Sequence, residues 1–96
     1  MKPSERLNVN REAIRAIVAA HRGANPRVFG SVARGEDTEE SDIDILVDPV
    51  GRMTLFDIGG IINELGNLLG VEVDVLTSDS LPEKFRDRVL AEAEPV

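Results

Sequence analysis

Two aspartates one residue apart, Asp42 and Asp44, stand ten residues after the dipeptide Gly30-Ser31. The run Ile43-Asp44-Ile-Leu-Val47 has the apolar bias of a strand. Residues i and i+2 of a strand project to one face, so both carboxylates point together. Like charges a few ångströms apart raise each other's pKa and repel, so such a pair calls for a cation. A third acid, Asp74, lies in Val71-Glu-Val-Asp-Val-Leu76, a second apolar-biased strand. Gly30 lets the backbone come close to a phosphate, the helix expected to start there offers free N–H groups, and the Ser31 hydroxyl adds a hydrogen bond. Arg34, one turn further, is placed to reach a triphosphate as a charged donor. These residue types suit divalent-metal and phosphate chemistry. Displacement at phosphorus puts negative charge on the attacking and leaving oxygens, and two divalent ions about 3.5–4 Å apart, held by bridging carboxylates, stabilise both. Asp42 and Asp44 fit the bridging role. Asp74 would ligate the metal nearest the nucleophile and could accept the proton of an attacking hydroxyl. Magnesium suits the set because it prefers oxygen ligands and borrows some from substrate phosphates.

Length and composition narrow the alternatives. Ninety-six residues make one domain, which buries only about 60–65% of its unfolded surface and therefore needs an efficient core. There is no cysteine, which excludes disulfides, thiol catalysis and cysteine-based zinc sites, and the single His21 cannot form a histidine pair. No apolar run reaches the length of a membrane span and no signal-peptide pattern opens the chain, so a cytoplasmic protein with no membrane partner is expected. The net charge of -7, scattered basic residues and only three aromatics (Phe29, Phe56, Phe85) argue against direct nucleic-acid binding. Between Glu36 and Asp48 there are seven acids and no base. Metal ions or a basic protein are the partners such a surface suits.

The elements that must position these residues can be read from periodicity and punctuation. Residues 1–9 carry no pattern and are expected to hang loosely, ahead of a domain spanning 10–94. Ile14, Ile17, Val18 and His21 fall at helical spacing, ended by Gly23. A short strand around Val28 leads into Gly30, and a short helix closes at Gly35. The Asp42 strand ends at Pro49 and Gly51. Thr54-Leu-Phe-Asp57 is a capping box opening a long helix with Leu55, Ile58, Ile62, Leu65 and Leu69 on its buried face, widened by Ile61 and Leu68, and Gly70 at its end. Gly59-Gly60 inside that helix implies close approach to the sheet, offsetting about 1 kcal/mol per glycine. After the Asp74 strand, Ser80-Leu-Pro-Glu83 is a second capping box, opening a helix with Leu81, Phe85, Val89 and Leu90 inward. The order αβαβαβα gives an α/β fold, a small sheet packed by helices.

Gly30-Ser31, ten residues, then Asp42-Ile43-Asp44 resembles the signature of the DNA polymerase β-like nucleotidyltransferase superfamily. The extended form, Gly30-Ser-Val-Ala-Arg-Gly35 with Ser41-Asp-Ile-Asp44, looks most like the minimal nucleotidyltransferase branch, whose members are about this long and consist of the catalytic palm alone. Asp74 falls where that family carries its third acid. The resemblance implies a polymerase β palm-like mixed sheet, ATP as donor and two magnesium ions. It also implies a setting: many such proteins are antitoxins that transfer AMP to a tyrosine of a HEPN-type toxin ribonuclease. This chain has no tyrosine, so a tyrosyl acceptor must come from a partner.

Plainer readings stand beside each of these. The aspartates could be solvated acids at strand ends, Ser31 a simple helix cap, and Arg34 a partner of Glu36 or Asp37. Asp48 shares the parity of Asp42 and Asp44 but adjoins Pro49 and suits a strand end. His21 suits packing, and Glu36 to Glu40 suits a solvated loop, with docking of a basic partner as its alternative. The rival functions are an antitoxin that neutralises its toxin by occlusion alone, and nucleotidylation of a small molecule, for which this chain lacks the length of antibiotic-modifying relatives.

Overall fold

The run Ile43-Asp-Ile-Leu-Val-Asp-Pro49 forms a strand whose alternation divides the molecule into a packed side and a working side. The computed structural model describes residues 1–96. Its elements are α1 (Pro3–Val9), α2 (Arg11–Ala20), β1 (Gly23–Phe29), α3 (Gly30–Arg34), β2 (Ile43–Pro49), α4 (Leu55–Leu69), β3 (Val73–Thr77), a 3-10 turn (Ser78–Ser80), α5 (Glu83–Glu92) and β4 (Glu94–Pro95). The strands form one mixed sheet in the order β3-β2-β1-β4, with β2 and β3 parallel and the other pairs antiparallel. This is the expected α/β class, with an added helix at the start and a two-residue strand at the end.

Ile43, Ile45 and Val47 enter the main core, with Val73 and Val75 of β3, Ile14 and Val18 of α2, and Ile61, Leu65 and Leu69 of α4. Full burial of each such side chain contributes about 1.5–3 kcal/mol, so this cluster supplies most of the fold's driving force. Leu46 points the other way and packs under α5 with Leu81 and Val89. Helices on both faces explain why β2 reads as a nearly continuous apolar run. Because α5 covers the sheet only around Leu46, the neighbouring end of that face, where Asp44 lies, stays accessible. No helix is long and apolar enough to cross a membrane.

Several expectations are corrected by packing partners that are distant in sequence. Residues 1–9, expected to hang loosely, form α1: Leu7 is buried in the core, the Ser4 amide donates to Asp37 Oδ2 at 2.9 Å, and Arg6 Nη1 donates to the Leu69 carbonyl at 3.1 Å. Asp37 is therefore buried rather than part of a solvated loop. Burial alone would raise its pKa, but the hydrogen bonds from Ser4 outweigh it and hold the carboxyl below its ordinary value. The α5 cap is Pro82 rather than Ser80, which lies in the 3-10 turn, and Phe85 and Leu90 are exposed instead of inward. In α4 the capping box of Thr54 and Asp57 and the left-handed Gly70 form as expected. Its buried stripe is Ile61, Leu65 and Leu69, with Ile58 partly covered; Leu55, Ile62 and Leu68 face outward. Periodicity marks every apolar position, whereas β3, α2 and α1 pack on one side of the helix and cover only part of them.

The Gly59-Gly60 pair also has a different reason from the one expected. Gly60 approaches His21 at the end of α2, not the sheet: a Cβ there would overlap the imidazole, which also contacts Glu64. Gly59 faces open space. Gly59→Ala should therefore raise stability by about 0.5–1 kcal/mol through helix propensity. Gly60→Ala, which must push His21 off Glu64, should forfeit that gain. Thermal melts of the two variants beside the parent chain check the difference.

Candidate active site

β1 delivers the chain to the site in extended conformation at Phe29, and Gly30 then turns it at φ 73°, a left-handed geometry that favours glycine. The second reason for glycine is contact: a Cβ at position 30 would overlap Asp44 Oδ2. The Gly30 turn and the acidic strand, ten residues apart in the motif, thus touch in space. Phe29 is also the register partner of Asp44 across the antiparallel β1–β2 pair. Ser31 is the second residue of α3, whose cap is Phe29, so its hydroxyl is not used as the cap.

Asp42 immediately precedes β2 and is exposed, while Asp44, on the strand, is half-buried. Asp44 stands opposite Asp74 in the parallel β2–β3 register, which puts the two on one face of the sheet. Burial pushes the Asp44 carboxyl up, the charges of Asp74 and Asp42 push it further, and Arg34 offsets them only in part; the result is a pKa of about 6. Burial and like charge together outweigh the one cation that acts on it, Arg34. Asp42 and Asp44 offer oxygen ligands on the same opening, which is the donor chemistry magnesium prefers. The three carboxylates do not close into a ready-made cage: Asp74 lines a neighbouring depression with Gly66, Gly70 and Glu72, but its side chain comes close enough to Asp44 to act on it by a hydrogen bond as well as by charge.

The opening is a cavity of about 610 Å³, lined on one side by Gly30, Ser31, Arg34, Asp42 and Asp44. That volume suits a ligand of nucleotide size. Its far wall comes from α5 and the segment before it, through Leu81, Pro82, Phe85, Val89 and Glu92, none of which the sequence marked as part of a site. Phe85 is 46% exposed because it faces this cavity rather than the core. No spacing rule links residues 81–92 to residues 30–44, so only the turn that brings α5 over Leu46 discloses them. Arg34 reaches the cavity and also pairs as the plainer reading had it, with Nε on Glu36 Oε1 at 2.6 Å, and in addition with Glu92 through Nη1. Asp48 is spent on structure, bonded to Arg27 and to Asn25 Nδ2.

Residues 11–95 match the family described as Nucleotidyltransferase domain. A protein of Methanocaldococcus jannaschii, provisionally named a protein adenylyltransferase, is 42% identical over 91% of this chain and 96% of its own length. A solved structure described as a minimal nucleotidyltransferase, likewise a provisional description, superposes with a TM-score of 0.86 at 43% identity, covering 97% of this chain and 95% of that one. The crystal structure of a toxin–antitoxin with AMP-PNP has the same fold, with a TM-score of 0.77 over 90% of this chain and 71% of that one. At 20% identity that last likeness concerns fold alone.

The raised pKa of Asp44 has a signed consequence. Its folded value of about 6 exceeds its ordinary value of 3.8, so the stabilising contribution is complete below 3.8 and is lost as pH rises through about 6. Without divalent ions, Asp44→Asn should therefore melt above the parent chain at pH about 7, and the difference should vanish near pH 4. Magnesium added at the higher pH should raise the melting temperature of the parent chain and leave the variant unchanged. Paired melts across pH, with and without magnesium, decide it.

Proposed function

The chain belongs to the nucleotidyltransferase domain family, in its minimal branch, and from that premise we propose that it transfers AMP from ATP to a hydroxyl of a partner protein. The acceptor is a tyrosine of a HEPN-type toxin ribonuclease, which the transfer silences. The observation that carries this reading is the contact of Gly30 with Asp44, which joins a phosphate-holding turn to an acidic pair at the mouth of one nucleotide-sized cavity. The protein adenylyltransferase name of the Methanocaldococcus relative supports the reaction, and the setting is the one that the family resemblance implies.

In this mechanism the Gly30 N–H, the Ser31 hydroxyl and the Arg34 guanidinium hold and orient the triphosphate. Asp42 and Asp44 would hold magnesium, with Asp74 completing one position; when bound, the metal supplies charge stabilisation for the attacking and leaving oxygens. The acceptor oxygen attacks the α-phosphorus, the bond from that phosphorus to the β-phosphate bridging oxygen breaks, and pyrophosphate leaves. The acceptor's proton passes to the Asp74 carboxylate. Arg34 must release Glu36 or Glu92 to reach the phosphates, and its exposure leaves it free to do so.

A second reading, neutralisation by occlusion without transfer, has one observation in its favour. Leu55 and Phe56, in the first turn of α4, are 84% and 91% exposed, an adjacent apolar pair that folding does not use. Intact-mass spectrometry separates the two. The candidate toxin is incubated with this chain, ATP and magnesium, and its mass is measured. Gain of one or more AMP units, absent with the Asp42→Ala/Asp44→Ala double variant, is the expected result. A stable complex with no mass change, formed equally well by the double variant, would establish occlusion instead.

A further inference from the structure

Gly30 N–H and Arg34, two of the groups assigned to the triphosphate, are engaged by a single side chain from the far end of the sequence. Glu92, in the last turn of α5, accepts from Gly30 N at 3.1 Å through Oε1 and from Arg34 Nη1 at 3.0 Å through Oε2. Its side chain is only 17% exposed. Burial by itself would raise this carboxyl, but Arg34 and the Gly30 amide hold it below its ordinary pKa, so it sits there as an anion. A carboxylate with one oxygen on a backbone N–H and the other on a guanidinium occupies donors that non-bridging phosphate oxygens would use.

We infer that Glu92 is an internal competitor for the nucleotide's phosphates, occupying their donors in the free protein and giving them up when a metal-bound triphosphate enters. The inference rests on the nucleotidyl-transfer reading above and says how that site is gated. Two anions cannot share one pair of donors without strong repulsion, so entry of the triphosphate must move Glu92. The exchange needs only side-chain movement. Arg34 has a second partner in Glu36, so releasing Glu92 does not leave it bare. The end of α5 stays in place meanwhile, held by the cluster of Leu46, Leu81 and Val89 with Ala93 packed against it, and by Val96 in the main core, so the exchange moves the Glu92 side chain and not the helix. Glu92 itself lines the cavity, so its side chain has space to swing into. Such a competitor favours ligands bearing several phosphate charges and a metal over a monophosphate. It can also retake the donors as pyrophosphate departs.

A purely structural tie between α5 and the Gly30 turn makes the opposite prediction for ligand affinity, and this allows a clean test. Isothermal titration of magnesium-ATP, and separately of magnesium tripolyphosphate, is performed on the parent chain, on Glu92→Gln and on Glu92→Ala. Competition predicts that both variants bind both ligands roughly threefold to tenfold more tightly, even if their melting temperatures fall, because the competent state no longer has to be prised open. The gain should persist with tripolyphosphate, since the contest is for phosphate donors and not for the base. It should shrink in an Arg34→Ala background, where one contested donor is gone. Binding that is unchanged or weaker in both variants, while the parent chain binds normally, would overturn this inference and leave the nucleotidyl-transfer reading standing. Failure of every protein, parent included, to bind either ligand would overturn both.

Discussion

A half-buried carboxylate on the most buried strand is the constraint around which this molecule is arranged. Asp44 cannot leave β2, because Ile43, Ile45, Leu46 and Val47 on the same strand are all fully buried and anchor it from both faces. Nor can its surroundings be made apolar, since Asp42 adjoins the strand and Asp74 stands across from it in the parallel register. Gly30 approaches so closely that any side chain there would overlap it. Free energy that packing gains elsewhere holds these like charges together, and burial first, then their repulsion, lifts the Asp44 pKa to about 6. Like charges held this way cost stability in the free protein.

The same strand accounts for the cavity. Alternate residues of β2 send Ile43, Ile45 and Val47 to the large core and Leu46 to the small one. Because the small core is only three residues, α5 covers part of the second face and its edge becomes the wall of the opening beside Asp42 and Asp44. One helix thus completes the fold and bounds the site. That dual duty also explains the mixed character of α5, in which Val89 is buried while Phe85 and Leu90 are not.

Charge organises the exterior in a complementary way. With -7 overall, the chain repels polyanions in general, and Arg34 and the Gly30 amide are donors at the mouth of the cavity. In the free protein acids answer them, Glu36 from the adjoining loop and Glu92 from α5. Other acids are used for construction: Asp37 holds the start of α1 and Asp48 joins β2 to Arg27. Leu55 and Phe56 stand outside this pattern as exposed apolar groups on a largely polar surface.

The legible part of this protein lay in short-range pattern. Strand parity placed Asp42 and Asp44 together, the capping box and terminal glycine delimited α4, and the Gly-Ser to Asp-x-Asp spacing indicated the family to which the chain belongs. These features obey local geometry, which a sequence carries directly. Helical periodicity likewise found the stripe of α4 but not which members of it would be covered, because coverage depends on what packs there. The role of α1 was hidden for the same reason: Leu7, Ser4 and Arg6 acquire meaning only beside the core, Asp37 and Leu69. Gly60 had its reason in His21, and the cavity wall and Glu92 had no local signature at all. By itself the sequence determined the fold class, the acidic pair and the phosphate-type turn. The tertiary structure alone decided which distant side chains close the site, since contacts between residues 58 and 62 positions apart are set by chain topology and not by any periodicity along the chain.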